Sequence, residues 1–173
     1  MKIEFLLIGK TEAAYLKEGI SLYEERLKHY TSYSKKEIPE IKNSSSLSKE
    51  QIKEKEGEQI LKNLAETDEL VLLDERGVQL TSEDFALRVE RWSVRGIKKI
   101  VFAVGGAYGF SDAVYKRSND KISLSKFETS LSIESVDENS IKEAIVIPRT
   151  HIQRMEVLFL IEYLILLLII YLW

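Results

Sequence analysis

The sequence predicts an α/β protein with a mostly parallel sheet. Apolar segments of strand length alternate along the chain with segments whose apolar residues recur at helical spacing. Five strand-like and four helix-like segments follow one another in this way. The chain has 173 residues and is 45% hydrophobic, which is enough for one domain with its own core.

The first strand spans residues 3 to 8 and stops at Gly9. An amphipathic helix is predicted next, because apolar residues recur at spacings of four, three and four: Leu16, Ile20, Tyr23 and Leu27. A second, weaker strand ends near Ile38, and the serine-rich segment 42–48 predicts a mobile loop.

The second helix opens with a capping box formed by Ser48 and Gln51. Its inner face is predicted to carry the following apolar residues: Ile52, Ile60, Leu61 and Leu64. The charged run KEKEGE at 53–58 lies on this helix. We interpret this run as a solvated face stabilised by ion pairs between residues four apart.

The third strand, residues 69–77, ends in charged residues and a glycine. Thr81 or Ser82 caps a third helix that Gly96 closes, and the side chains predicted to point inward are Phe85, Val89 and Trp92. A fourth strand, residues 98–104, then runs into a glycine-rich segment. Ser111 is placed to cap a short fourth helix, and residues 121–125 form the fifth strand.

The glycine-rich segment VGGAYGF at 104–110 is the candidate ligand site. Ligands of parallel sheets bind beyond the carboxyl ends of the strands, and the third, fourth and fifth strands should end at one edge. Glycine allows close approach to the backbone or a positive φ, so Gly105 and Gly106 suit an adenosine-like group. A side chain at Gly105 would then fill ligand space. A tight turn that needs glycine only for its geometry is the alternative, and the GxGxxG and P-loop patterns are both missing.

Composition excludes several other kinds of site. The chain has no cysteine, which rules out disulfides, thiolate metal sites and cysteine nucleophiles and suits a reducing, cytoplasmic location. Its two histidines, His29 and His151, are too far apart in sequence to form a metal motif, so no metal is expected. With a net charge of −3, any nucleic acid must be bound through a local basic patch.

Several ordered stretches resemble one known family. They are IGK at 8–10, YEERL at 23–27, IPEIKN at 38–43, LSKEQIKEKEGEQIL at 47–61, LVLLDERG at 70–77, VFAVGGAYGFS at 101–111 and KISLSK at 121–126. In these the chain resembles the ribosomal RNA large subunit methyltransferase H family, a branch of the knotted SPOUT-type methyltransferases. The resemblance implies a trefoil-knotted α/β fold and a homodimer. It also implies S-adenosyl-L-methionine as methyl donor and methylation of N3 of a pseudouridine in 23S rRNA.

The resemblance also implies a set of cofactor-binding residues: Leu73, Gly105, Leu124, Ser125, Lys126, Phe127, Glu128 and Thr129. Four cations are candidates for contacts with RNA phosphates: Lys98, Lys99, Lys116 and Arg117. Tyr108 could stack on a base or on the cofactor, or pack under the loop. No catalytic residue is assigned. Asp74 is a candidate general base, with an N-cap or solvent-facing role as the alternative.

The pattern changes after Lys126. Residues 1–126 form the family-like domain, 127–156 a divergent continuation and 157–173 a hydrophobic tail with one charge, Glu162. The tail is open to three interpretations: a membrane anchor, a buried helix, or a reading-frame change near codon 126, which we favour. Two alternative functions follow: a catalytically inactive nucleoside- or RNA-binding remnant, or another SPOUT activity such as ribose 2′-O-methylation.

Overall fold

The computed structural model describes residues 1–10, 14–42 and 44–123. Five strands and four α-helices alternate through this part of the chain, as the sequence predicts. In chain order they are β1 (Lys2–Ile8), α1 (Ala14–Lys28), β2 (Ser32–Ile38), α2 (Lys49–Lys62), β3 (Glu69–Gln79), α3 (Ser82–Val94), β4 (Lys99–Val104), α4 (Asp112–Arg117) and β5 (Asp120–Ser123). The serine-rich segment predicted as a loop contains a short 3-10 turn at Ser44–Ser46.

The five strands form one sheet in the order β2-β1-β4-β3-β5, and every pairing is parallel. This confirms the predicted α/β class. The described residues do not show the knot implied by the family resemblance. Because all strands run the same way, their carboxyl ends lie at one edge, where Leu73 of β3 pairs with Val104 of β4.

Side chains of the sheet alternate between two apolar clusters, one on each face. On one face Phe5 and Phe102 stack with ring centroids 5.4 Å apart and pack against Phe85 and Trp92 of α3. On the other face Leu72 and Ala103 belong to the cluster that contains Ile60 of α2, Val114 of α4 and other residues. The molecule therefore has three layers, and α2 and α4 share the face opposite α3.

Both predicted helix caps of the middle segment are present. Ser48 Oγ accepts from the Gln51 backbone, and the Gln51 side chain accepts from the Ser48 backbone. Thr81 is the N-cap of α3 and forms the same reciprocal arrangement with Asp84. Gly96 follows the C-cap of α3 with a φ of 73°.

The strand β3 is longer than predicted. It does not end in the charged segment but continues to Gln79, and its register with β5 shifts between Leu73 and Val78. Gly77 lies within this irregular stretch. A Cβ on Gly77 would lie 2.4 Å from the carbonyl carbon of Ile122, so glycine is required for the close approach of β3 and β5.

An ion-pair cluster ties three strands together at the amino edge of the sheet. Lys99 Nζ lies 3.1 Å from Glu4 of β1 and 3.1 Å from Asp68, which precedes β3. Burial raises the pKa of Glu4, but hydrogen bonds from Lys99 and neighbouring groups outweigh it and hold that pKa below its usual value. Burial tends to lower the pKa of Lys99, but the carboxylates of Glu4 and Asp68 outweigh burial, so the pKa lies above its usual value.

None of the helices that the structure describes is long and apolar enough to cross a membrane. The segments 127–156 and 157–173 lie outside the described residues, as do the boundaries proposed between them.

Candidate functional site

The glycine loop, residues 105–110, joins β4 to α4 at the carboxyl edge of the sheet. Gly109 N–H donates to the Gly106 carbonyl at 3.0 Å, and the two residues form an isolated bridge that leaves Ala107 and Tyr108 at the tip. The positive φ is at Gly109, at 80°, and not at Gly105 or Gly106. Of the three glycines, only Gly109 is therefore required for its backbone conformation.

Gly105 and Gly106 instead lie in close contact with neighbouring groups. A Cβ on Gly105 would lie 3.3 Å from the Gly109 backbone and 3.3 Å from the Phe110 ring. A side chain at Gly105 would therefore press on the loop itself, and the prediction that it would also fill ligand space stays a prediction. A Cβ on Gly106 would lie 2.5 and 2.8 Å from the two carboxyl oxygens of Glu56 on α2.

Glu56 lies beneath the glycine loop and was not predicted to be there. It is 6% exposed, and its Oε2 has no hydrogen-bond partner among the described residues. Burial, followed by the charge of Glu40, raises the pKa of Glu56 to about 7. The interpretation of 53–58 as a solvated face is wrong for this residue and for the buried Gly57, although Lys53 does pair with Glu50 on the same helix.

Ser111 is the second buried polar group at this position. It occupies the N-cap of α4, as predicted, but its side chain makes no capping hydrogen bond. It is 2% exposed, and its Oγ has no partner among the described residues. A Cβ on Gly57 would lie 2.1 Å from this Oγ, so the glycine in the middle of α2 is what lets α4 approach.

The sequence contained a signal for Glu56. Ile52 and Ile60 were both assigned to the inner face of α2, and Glu56 lies four residues from each. A helix of 3.6 residues per turn places all three on one face. The spacing alone would have indicated an inward carboxyl group, but the charged residues around Glu56 led us to assign the whole run to a solvated face.

Of the predicted cofactor-binding residues, the structure brings Leu73 and Gly105 together. Leu73 is paired with Val104 on one side and with Ile122 of β5 on the other, and Gly105 directly follows Val104. Both Leu73 and Gly105 are buried. The remaining six, which run from Leu124 to Thr129, lie outside the described residues.

Asp74 is at the same edge but is held by the chain itself. Its Oδ2 accepts a hydrogen bond of 2.6 Å from the Tyr115 hydroxyl, and its Oδ1 accepts from Arg76 N–H at 2.8 Å. Burial and this bond to Asp74 raise the pKa of Tyr115 to about 12. Asp74 therefore joins β3 to α4 and is not an N-cap.

Tyr108 lies at the tip of the glycine loop and is 43% exposed. Lys49 Nζ, from the first residue of α2, lies 5.7 Å from the centroid of its ring. Of the two interpretations offered for Tyr108, packing under the loop is therefore wrong.

Three of the four candidate RNA-binding cations lie away from this edge. Lys98 and Lys99 are at the start of β4, about 20 Å from Gly105 at about 3.3 Å per strand residue. Arg117 donates to the carbonyl oxygens of Ala65, Glu66 and Asp68, just before β3. Lys99 and Arg117 are thus engaged within the chain, whereas Lys98 and Lys116 are exposed.

Comparison with known proteins identifies the family of the chain. The model of the family described as "Predicted SPOUT methyltransferase" matches residues 1–133, a range that includes every described element. The protein is therefore a SPOUT methyltransferase.

Curated relatives define the branch. "Ribosomal RNA large subunit methyltransferase H" of Parabacteroides distasonis is 52% identical over 126 residues, which are 73% of this chain and 80% of that protein. The proteins of the same name from Christiangramia forsetii and Cytophaga hutchinsonii are 44% and 46% identical over 126 residues, covering 73% of this chain and 80% and 81% of theirs. The chain belongs to the ribosomal RNA large subunit methyltransferase H family, which confirms the resemblance seen in its motifs.

Proposed function

We propose that this protein transfers a methyl group from S-adenosyl-L-methionine to N3 of a pseudouridine in 23S rRNA of the large ribosomal subunit. The observation that carries the proposal is the family match over residues 1–133, which includes both Leu73 and the glycine loop. The relatives named as ribosomal RNA large subunit methyltransferases support rRNA as the substrate. The position on the base is inferred from the family resemblance.

The residues at the carboxyl edge fit such a cofactor. Leu73 offers an apolar wall, and the bare backbone of Gly105 and Gly106 follows the neighbouring strand. Two buried polar atoms beside the loop, Glu56 Oε2 and Ser111 Oγ, have no partner among the described residues. Leu73 and Gly105 would hold the cofactor together with residues 124–129.

S-adenosyl-L-methionine would supply an electrophilic methyl group carried on a sulfonium. The task of the protein is to hold donor and acceptor in near-attack geometry and to favour loss of the N3 proton. Asp74 already accepts two hydrogen bonds from its own chain, so we assign it a structural role.

For the RNA we propose that Lys98 and Lys116, both exposed, contact phosphates. Lys99 and Arg117 would contribute mainly by holding the amino edge in place. The family resemblance supports a homodimer that needs no metal, and a cytoplasmic location.

The test is methyl incorporation into large ribosomal subunits from cells that lack the native enzyme. Radiolabelled methyl should appear in 23S rRNA and block reverse transcription at a pseudouridine, because N3 lies on the Watson–Crick edge. Isolated RNA should be a poorer substrate than assembled subunits. Methyl groups that protect the chain from alkaline cleavage would indicate ribose 2′-O-methylation instead. Cofactor binding without any incorporation would indicate the inactive remnant.

A further inference from the structure

Glu56 differs from the other buried carboxylates that the structure describes. Glu4 and Asp68 are paired with Lys99, and Glu69 lies 3.2 Å from Arg95. Glu56 has no such cation, and its Oε2 has no hydrogen-bond donor among the described residues. A buried polar atom left without a partner beside a ligand-binding loop calls for a functional explanation.

The contacts of Glu56 point to the loop. Both of its carboxyl oxygens lie within 3 Å of where a Cβ on Gly106 would be, so the carboxyl group occupies the side-chain position of that glycine. The next residue of α2 is Gly57, and its side-chain position is occupied by Ser111, which follows the other end of the loop. Two adjacent residues of α2 therefore contact the glycine loop, Glu56 near the start of the loop and Gly57 just beyond its end.

We propose that Glu56 is a positioning residue for cofactor binding, which through its contact with Gly106 holds the glycine loop in the conformation that receives the adenosine end of S-adenosyl-L-methionine. The proposal rests on the proposed function for the identity of the ligand. It assigns Glu56 no contact with the reacting atoms, because its Oε2 is buried beneath the loop.

The charge state of Glu56 decides whether this support is present. An ionised carboxylate left unpaired in the interior is costly, so the buried position favours the neutral acid. The charge of Glu40, which follows β2, reinforces this effect. The backbone of Gly106, which the carboxyl group contacts, carries no charge. On α2 itself, Lys53 is engaged by Glu50 at 2.6 Å.

Ionisation of Glu56 should therefore release the loop. The ionised carboxylate gains by reaching water, which requires α2 and Gly106 to separate. If only the neutral form supports the loop, the apparent dissociation constant equals the intrinsic one divided by the neutral fraction of Glu56. It then rises about tenfold for each pH unit above the pKa of about 7.

The experiment measures binding of S-adenosylhomocysteine by calorimetry between pH 6 and 8.5, in the unmodified full chain and in two variants. Glu56→Gln keeps the shape of the neutral acid and cannot ionise. Glu58→Gln is the matched control, since Glu58 is exposed on the same helix and pairs weakly with Lys62 at 3.9 Å. The unmodified chain and the control should lose about 30-fold in affinity across this range. The affinity of Glu56→Gln should change by less than about threefold across this range, and that small change would come from ionisation of the ligand itself.

A second readout needs no ligand. Amide hydrogen exchange of residues 105–111 should speed up above pH 7 in the unmodified chain relative to Glu56→Gln, after correction for the intrinsic pH dependence. Two results would overturn the role of Glu56. One is the same pH dependence of S-adenosylhomocysteine affinity in all three chains, and the other is the same amide exchange of residues 105–111 in the unmodified chain and in Glu56→Gln. A chain that binds no S-adenosylhomocysteine at any pH would instead refute the proposed function, and loop exchange would still decide the role of Glu56.

Discussion

Replacing Glu56 with glutamine should remove a loss of stability that the unmodified chain suffers as the pH rises from about 4.5 to about 7. The unfolded chain exposes this carboxyl group, which then ionises near its ordinary pKa of 4.5. In the folded protein, burial and the charge of Glu40 raise the pKa to about 7. Between these values the folded state binds a proton that the unfolded state has released.

The sign and size of the effect follow from linkage. Because the folded pKa is raised, the stabilising contribution is complete below pH 4.5 and is lost as the pH rises through 7. At about 1.4 kcal/mol per pH unit, the interval of about 2.5 pH units between the two pKa values corresponds to about 3.5 kcal/mol. Relaxation of the surroundings and entry of water should reduce the observed value to about 2 kcal/mol. Above pH 8 the difference between the chains should be constant.

The assay is urea unfolding followed by tryptophan fluorescence, since Trp92 is buried in the core. The quantity compared is the free energy of unfolding of the unmodified chain minus that of Glu56→Gln, at pH 4.5, 6, 7 and 8. Taking this difference cancels the contributions of the other carboxylates to the pH dependence of stability. These include Glu4, whose lowered pKa makes stability rise with pH. Glu58→Gln should show no such trend. A flat difference, or one that rises with pH, would show that Glu56 is paired or solvated in the folded protein.

Three further predictions concern packing and the C-terminal sequence. Gly106→Ala should lower the free energy of unfolding in urea by about 1–3 kcal/mol, and by much less in a Glu56→Ala background, where the opposing carboxyl group is missing. If Gly106→Ala lowered it equally in both backgrounds, the contact between Glu56 and Gly106 would be contradicted. Gly77→Ala should destabilise by more than about 2 kcal/mol because its Cβ meets the backbone of β5, and a loss below about 0.5 kcal/mol would be inconsistent with the register described. A version translated in another frame after codon 126 should aggregate less and methylate faster than the chain as given, because the last 11 residues of the given sequence are uninterruptedly apolar. Robust methylation and a clean dimer on size-exclusion chromatography from the chain as given would show that this sequence is a genuine family variant.

The local elements were predictable because their signals are local. The alternation of apolar runs, the caps at Ser48 and Thr81, and the stop at Gly96 depend on residues within one or two helical turns. The edge at which the glycine loop lies was predictable as well, because parallel strands place their carboxyl ends together.

Contacts between residues that are distant in sequence were not predictable. Lys99 looked available for RNA because nothing near it in sequence shows that β4 lies between β1 and β3, where Glu4 and Asp68 meet it. The role of Gly106 likewise depends on Glu56, a residue 50 positions earlier in the chain. The family resemblance supplied the function, and it could not supply these contacts.

The strand order has a consequence for synthesis of the protein. β4 is fourth in the chain but lies between β1 and β3, which do not pair with each other among the described strands. While the ribosome has delivered only the first 98 residues, the β1–β2 pair and β3 have no strand to join them, and each presents an unpaired edge to the cell. Emergence of the six residues Lys99–Val104 converts these separate pieces into one continuous sheet. A pause in translation that delays this strand would leave both edges unpaired for longer.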